Sequence, residues 1–246
     1  MSRLLRVLVT AGNTQTPIDR VRCVTNVFTG RTGGRLALEA FDRGHAVTLL
    51  TSHPGVIDDL RPGFAPADRW QVQPYRTFDD LSAALADRIP TGGFDAILHS
   101  AAVGDYALAG VYAPASDAGF DATELRWTGD GPHLVDAAKG KVKSDHPEVW
   151  LRMVPTPKLV DRMRSPWGFA GVLVKFKLEV DVTEAELIAV ARRSRAQSDA
   201  DFLVANTLDG YDSLAFLVDR AEVVERLARA DLPRRLLGRV ERAAGG

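Results

Sequence analysis

Apolar residues fall along this chain in two alternating rhythms. "LLRVLVTAG" (Leu4–Gly12) is an almost unbroken apolar run rich in Leu and Val. Such a run predicts a strand buried on both faces, and hence a parallel sheet. "GGRLALEAFDRGH" places apolar residues at 36, 37, 40 and 41, one face of a helix, and ends at Gly44, a C-terminal stop signal. "AVTLLTS" reads as the next strand, so the chain opens with a βαβ unit, whose crossover is expected to be right-handed. "RWQVQPY" predicts a short strand, and "FDAILHSAAV" a third strong one. Between them "TFDDLSAALADRI" predicts a helix capped by Thr77, with Asp80 three residues on. "EVWLRMV" reads as a strand, and "TPKLVDRM" as a short helix started by Thr156 and Pro157. "AGVLVKFKLEV" is a strand; "VTEAELIAVARRSRAQS" is a helix with Thr183 and Glu186 as a capping box. "DFLVANT" is another strand, "SLAFLVDRAEVVERL" a hairpin, and "DLPRRLLGRVERAA" a closing helix.

Two stretches break the rhythm. His53 to Pro66, with three prolines and two glycines, reads as loop. Gly104 to Gly140, rich in Gly, Ala, Pro and Asp and poor in periodicity, reads as an excursion with one short strand near "TELRWT". No linker interrupts the alternation, and the tail "ERAAGG" is expected to fray. The expected fold is α/β: a Rossmann-like, doubly wound, mostly parallel sheet in a single domain over 1–246. A β-rich arm is added to it, with 104–140 as the excursion and 213–246 as hairpin plus closing helix.

Composition changes this picture little. The chain has 246 residues, 46% hydrophobic, enough for a sizeable core. A formal charge of −1 gives no reason to expect nucleic acid or an anionic membrane as partner. No run of about 18 apolar residues predicts a membrane span. The single cysteine, Cys23, excludes an internal disulfide framework and suits the cytoplasm; it reads as a small buried hydrophobe.

Open parallel sheets bind ligands beyond the carboxyl ends of their strands, where the unusual residues of this chain gather. Gly12, Asn13 and Thr14 follow the first strand, with a long polar loop carrying Asn26 before the helix. Ala101, Ala102 and Asp105 follow the third strong strand; Glu179 and Asn206 end later ones. Gly30, Arg31, Thr32, Gly33 and Gly34 open the first helix. Exposed N–H groups and the positive end of the helix dipole would bind an anion there. The other reading is a tight turn with small residues for packing. The turn is not a Walker loop, and no acidic residue ends the second strand, which argues against a nicotinamide site. Lys141 and Lys143 in "GKVKS" lie on one face if extended and could hold a triphosphate, or be a solvated edge. Asp105 is either a turn aspartate or a group that accepts from a hydroxyl or helps hold Mg²⁺. The five histidines pair with no ligand spacing, so a zinc site is not expected, and His99 reads as a core or edge histidine.

In order, these pieces resemble one family. "VLVTAGNTQTPIDRVRCVTNVFTGRTGGRLALEAF" resembles the opening of the phosphopantothenate–cysteine ligases (phosphopantothenoylcysteine synthetases). "AAVGDY", "GKVKS", "VLVKFKLEVD", "VANTL" and "RRLLGRV" are similar to its later marks, so the resemblance runs from about Leu5 to Val240. It implies a Rossmann-like domain with a dimerisation region, and hence a homodimer. It also implies a two-step ligase of coenzyme A biosynthesis, with ATP or CTP as co-substrate and Mg²⁺. The nucleotide would activate the carboxylate of 4′-phosphopantothenate, and the amine of cysteine would then form the amide.

Carried over by position, the resemblance implies that Asn26 steadies the acyl-nucleotide and that Lys141 helps form it. Gly12, Ala101, Ala102, Asp105 and Phe176 would contact the nucleotide; Gly30, Arg31 and Gly33 would cradle a phosphate; Arg22 and Lys143 would take the substrate phosphate. No protein metal site is implied beyond Asp105. The chain departs from the family at Phe28, where a serine is expected, with Thr29 for the second hydroxyl. The 104–140 insertion is long, and Ser194 and Ser198 stand where bacterial members have nucleotide-contacting lysines. With "FKLE", those serines lean toward ATP. The decarboxylase half fused in many bacteria is not part of this sequence, which implies a stand-alone ligase. Two other readings are a non-catalytic or divergent nucleotide-binding relative and a dinucleotide-dependent oxidoreductase on the same frame.

Overall fold

The computed structural model describes residues 3–115, 118–129, 131–138 and 140–245. In chain order the elements begin with strands β1 (Arg6–Ala11), β2 (Gln15–Pro17) and β3 (Cys23–Thr25), helix α1 (Arg31–Asp42) and strand β4 (Ala46–Thr51). Helix α2 (Val56–Leu60), strand β5 (Trp70–Pro74), helix α3 (Phe78–Thr91) and strand β6 (Ala96–His99) follow. Strands β7 (Tyr106–Pro114), β8 (Gly119–Asp121), β9 (Arg126–Thr128), β10 (Leu134–Asp136) and β11 (Trp150–Pro155) come next. The chain closes with helix α4 (Leu159–Arg164), strand β12 (Val172–Glu179), helix α5 (Glu184–Gln197), strands β13 (Phe202–Thr207), β14 (Leu214–Asp219) and β15 (Val224–Ala228), and helix α6 (Leu232–Gly245).

The chain divides into two compact units. The first comprises the described parts of Met1–Thr14, Val27–Val103 and Lys158–Gly246. It holds an eight-stranded sheet in the order β15-β14-β13-β12-β6-β1-β4-β5. Strands β5, β4, β1, β6, β12 and β13 pair in parallel, and the hairpin β14–β15 adds antiparallel strands at one edge. The apolar runs in β1 and β12 are buried on both faces, as a parallel sheet requires. Helices α1, α2 and α6 pack on one face with Leu36, Phe41, Ile57 and Leu237; α3 and α4 pack on the other with Leu85 and Met163. Helix α5 covers β13 and β14 on that second face through Leu187 and Ala191. The sheet is therefore mostly parallel, doubly wound and mixed at its edge.

The second unit is Gln15–Asn26 with Gly104–Pro157, and the stretch 104–140 falls inside it. Strands β10-β7-β11 form a three-stranded antiparallel sheet, with β2–β3 and β8–β9 as two small hairpins. Val111, Ala113, Ala137 and Val142 make its core. Phe120, Trp127 and Trp150 pack together, with ring centroids 4.9 to 5.6 Å apart, inside the usual range for aromatic pairs. The nine-residue strand β7 carries only Val111 and Ala113 as buried positions, which is why its period was hard to read.

Several local expectations hold at atomic detail. Thr77 and Asp80 form a full reciprocal capping box at α3, as Thr183 and Glu186 do at α5. Others are corrected. The loop expected over His53–Pro66 contains α2, because Val56 and Ile57 bury against α1. Helix α4 starts after Lys158 rather than at Pro157 and has no side-chain cap; the Thr156 hydroxyl donates to the Gly104 carbonyl at 2.7 Å instead. Cys23 is exposed, not buried, since it lies on the β2–β3 hairpin whose strand β3 is exposed throughout. The tail expected to fray is helical to Gly245; Gly246 lies outside the described residues.

Candidate active site

Chain order reverses beside β1, which pairs with β4 on one side and β6 on the other. That is the switch point where open α/β sheets leave a crevice for ligands. The carboxyl ends of the three strands are stitched together there. The Ala102 N–H donates to the Gly12 carbonyl at 2.8 Å, and the Ser100 hydroxyl to the Thr10 carbonyl at 2.7 Å. Ser52, just past β4, accepts from the Asn13 N–H at 2.9 Å and donates to Asn13 Oδ1 at 3.1 Å. The Tyr75 hydroxyl donates to the Ala11 carbonyl at 2.7 Å. A serine that is already engaged thus occupies the place of a ribose-binding acid.

Onto this rigid edge the glycine turn is laid directly. Gly30 is the N-cap of α1 in the left-handed region, φ 84°, where a side chain is disfavoured. A Cβ there would collide with Gly12 N and stand 3.0 Å from Gly12 Cα. Gly33 lets α1 approach the sheet closely: a Cβ would lie 2.6 Å from the Ala11 Cβ and from Ser100 Oγ. No side chain caps α1 and no acid sits in its first turn. Its first N–H groups therefore keep the partial positive charge that attracts an anion. Gly12, Gly30, Gly33, Ala101 and Ala102 are brought together, with Arg31 exposed at the start of the helix. Phe176, half-buried on β12, packs against the core under α1 and α6.

Phe28, the second residue of the first unit's segment that begins at Val27, is half-buried and engaged. Its ring meets Tyr211, in the turn after β13, edge to face with centroids 6.2 Å apart. The position that departs from the resemblance is thus filled by an aromatic contact.

Below the strand ends lies a buried polar layer. The His99 Nδ1 and Thr10 Oγ1 are 2.9 Å apart, and Thr10 Oγ1 also accepts from the Ala101 N–H at 3.2 Å. Burial pushes the His99 imidazole down to about 4, and the Lys175 ammonium adds to the shift. Lys175, opposite His99 in the sheet register, donates to the Ser194 carbonyl at 2.9 Å and to Ser198 Oγ at 2.5 Å. Ser198 in turn donates to Asp161 at 2.5 Å. The two serines noted in the sequence thus serve a lysine from β12 that sequence reading missed. Burial lowers the Lys175 ammonium from its usual value, with Asp161 opposing.

His99 makes a testable contribution. Below about pH 6.5 the unfolded chain gains a proton on this residue that the folded chain refuses. Stability is therefore full above that pH and drains as pH falls toward 4, by about 3 kcal/mol for this group. Urea unfolding at pH 7 and pH 5 is expected to show about 2 kcal/mol less pH dependence in His99→Gln than in the wild type. An equal dependence would remove His99 from the account.

The remaining candidates lie in the second unit. Asn26 is exposed and follows β3, so the polar loop that carries it is an ordered hairpin. Lys141 and Lys143 are exposed on either side of buried Val142. Asp19 fastens that segment. Its carboxylate accepts from the Val142 N–H at 3.0 Å, from the Val21 and Arg22 N–H groups at 2.8 Å, and from the Arg22 guanidinium at 2.6 Å. The Arg22 guanidinium and the converging N–H groups hold the Asp19 carboxyl well below the usual carboxylate range. Arg22, expected at a substrate phosphate, also donates to the Val142 carbonyl at 2.7 Å, so part of its donor capacity is spent within the unit. Asp105 is exposed, and its carbonyl accepts from the Thr156 N–H at 2.9 Å. Among the described residues, no cluster of three or more His, Cys, Asp or Glu could hold a metal ion, and no helix is long and apolar enough to cross a membrane.

Fold and strand-end architecture define a Rossmann-like α/β protein with antiparallel additions. Residues 3–114 match the DNA/pantothenate metabolism flavoprotein C-terminal domain. The chain is 31% identical over 244 residues to the coenzyme A biosynthesis bifunctional protein CoaBC of Thermococcus kodakarensis, covering 96% of this chain and 51% of that protein. The chain spans about half the length of the curated relatives it matches. Among solved structures, the DNA/pantothenate metabolism flavoprotein from Streptococcus pneumoniae superposes with a TM-score of 0.75 at 24% identity, over 97% of this chain and 99% of that one. A mutant of Cab2 in complex with phosphopantothenate-cysteine superposes with a TM-score of 0.69 at 16% identity, over 98% and 86%.

Proposed function

We propose that this chain joins 4′-phosphopantothenate to cysteine, the amide-forming step of coenzyme A biosynthesis, using a nucleoside triphosphate. The observation that carries the reading is the likeness along 96% of the chain to a bifunctional protein of coenzyme A biosynthesis. The uncapped glycine turn at the sheet's switch point supports it with the chemistry an anionic substrate needs.

A carboxylate is a poor electrophile, so it must first be given a leaving group. Its oxygen attacks the α-phosphorus of the nucleotide, forming an acyl-nucleotide and releasing pyrophosphate. The cysteine amine then attacks the acyl carbon, expelling nucleoside monophosphate and a proton. Asn26 is assigned to the acyl-nucleotide through its amide, Lys141 to charge developing on the phosphates, and Lys143 with Arg22 to the substrate phosphate. Gly12, Gly30, Arg31 and Gly33 are assigned to the polyphosphate, Ala101, Ala102 and Asp105 to the nucleoside, and Phe176 to the base. With no protein cage for a metal among the described residues, Mg²⁺ would be carried by the polyphosphate, as Mg²⁺ commonly is, with Asp105 as the carboxylate nearest in role. It would neutralise phosphate charge. ATP is the proposed nucleotide, because Ser194 and Ser198 carry no cationic side chain and are engaged by Lys175. The active form is proposed to be a homodimer.

The dinucleotide-dependent alternative is disfavoured by Ser52 at the end of β4. The non-catalytic alternative draws on Phe28, which packs on Tyr211 in place of a hydroxyl. Pyrophosphate release is expected only when 4′-phosphopantothenate, nucleoside triphosphate and Mg²⁺ are all present, with ATP faster than CTP. Absence of release with either nucleotide would refute the ligase reading.

A further inference from the structure

Arg229 opens the 3-10 turn Arg229–Asp231 that leads from β15 into α6. Its guanidinium reaches into the first turn of α1, where Nη2 donates to the Thr32 hydroxyl at 2.5 Å. Its Nη1 is fully buried and has no hydrogen-bond partner among the described residues. Burial lowers the Arg229 guanidinium from its usual range, and Arg35 pushes the same way. The helix adds no relief, because its N-terminus is the positive end. Arg229 is half-buried, and a guanidinium with one fully buried nitrogen unpartnered and no counter-charge among the described residues is a liability to the folded chain. Here it stands behind the turn whose N–H groups no side chain caps.

We propose that Arg229 is a positioning residue for the phosphate-binding turn: through Thr32 it fixes the first turn of α1, and its charge favours a polyphosphate there. The inference rests on the reading of Gly30–Gly33 as a phosphate cradle. It explains why the chain keeps an unpaired guanidinium against a helix N-terminus, since the bound anion supplies the missing counter-charge. The contact joins residues 197 positions apart, so no local motif announces it.

Arg229→Met keeps the apolar stem and removes the charge. A merely structural arginine would lower the melting temperature when lost; a half-buried charge with an unpartnered buried nitrogen leaves the ligand-free melting temperature unchanged or raised. Titration calorimetry with inorganic tripolyphosphate is expected to show at least tenfold weaker binding by Arg229→Met and a shallower salt dependence. In turnover, KM for the nucleotide is expected to rise more than kcat falls. Arg229→Lys, which keeps charge but not the fork that meets Thr32, is expected to retain the wild-type salt dependence with weakened affinity. If the wild type binds neither tripolyphosphate nor nucleotide, the cradle reading itself has failed. If the wild type binds and Arg229→Met binds equally well, or loses melting temperature with affinity unchanged, the role of Arg229 is overturned. Should Arg229→Met not fold, wild-type affinity in Arg229→Lys overturns it as well.

Discussion

Replacing Asn26 by alanine is expected to cut the rate of amide formation by about 10²–10³-fold while leaving the fold intact. That is the usual cost of removing one preorganised donor from a site where charge develops. The fold should survive because Asn26 is exposed at the end of a short hairpin strand, and surface changes of this kind stay within about 0.5 kcal/mol. Product formation in a quenched assay, beside a melting curve, checks both halves. A rate within about threefold of wild type, with pyrophosphate release unchanged, would remove Asn26 from the mechanism. The first half-reaction carries the finer information: a donor to the acyl-nucleotide should lower pyrophosphate release together with amide formation, because both steps pass through that species.

Gly30→Ala is expected to damage fold and function together. The alanine would have to hold φ near 84°, with its Cβ against the Gly12 backbone. Left-handed strain costs about 1–2 kcal/mol and overpacking about 1–3 kcal/mol. The Gly12 backbone cannot yield cheaply, since it is hydrogen-bonded to Ala102 and lies at the end of the buried strand β1. A loss of about 3 kcal/mol corresponds to a drop in melting temperature of about 6–12 °C for a chain of this length. Nucleotide binding should fall with it, because the first N–H groups of α1 move with Gly30. Gly55→Ala, at an N-cap with nothing within 4 Å of the added Cβ, is the matched control and should melt near wild type. If both variants melt alike, the close packing of the glycine turn on β1 is not what holds it.

Much of the first unit could be read directly from its residues, because burial and capping are written locally. The apolar run of β1 marks a strand covered on both faces, and the capping boxes at Thr77 and Thr183 join groups three residues apart. The hairpin over 214–228 and the closing helix follow from period and turn chemistry in the same way. Local pattern was weaker where an element owes its existence to distant partners. Helix α2 forms because Val56 and Ile57 meet α1. The hairpin β2–β3 has three-residue strands with no buried position, so no period could mark it, and Cys23 was misplaced for the same reason.

The chemistry divides along the same line. The glycines of the α1 turn, the alanines after β6 and the two lysines about Val142 were visible as residue types in order. What engages the surrounding side chains was not: Asp19 with Val142 across 123 positions, Lys175 with Ser198 across 23, Arg229 with Thr32 across 197. By itself the sequence determined where the chain is buried, where its helices start, and which small residues sit at strand ends. These depend on contacts within a turn or two. Only the tertiary structure decided which charges are paired, which stand uncompensated, and that Phe28 rests on Tyr211, because those outcomes depend on distant segments meeting after the sheet has formed.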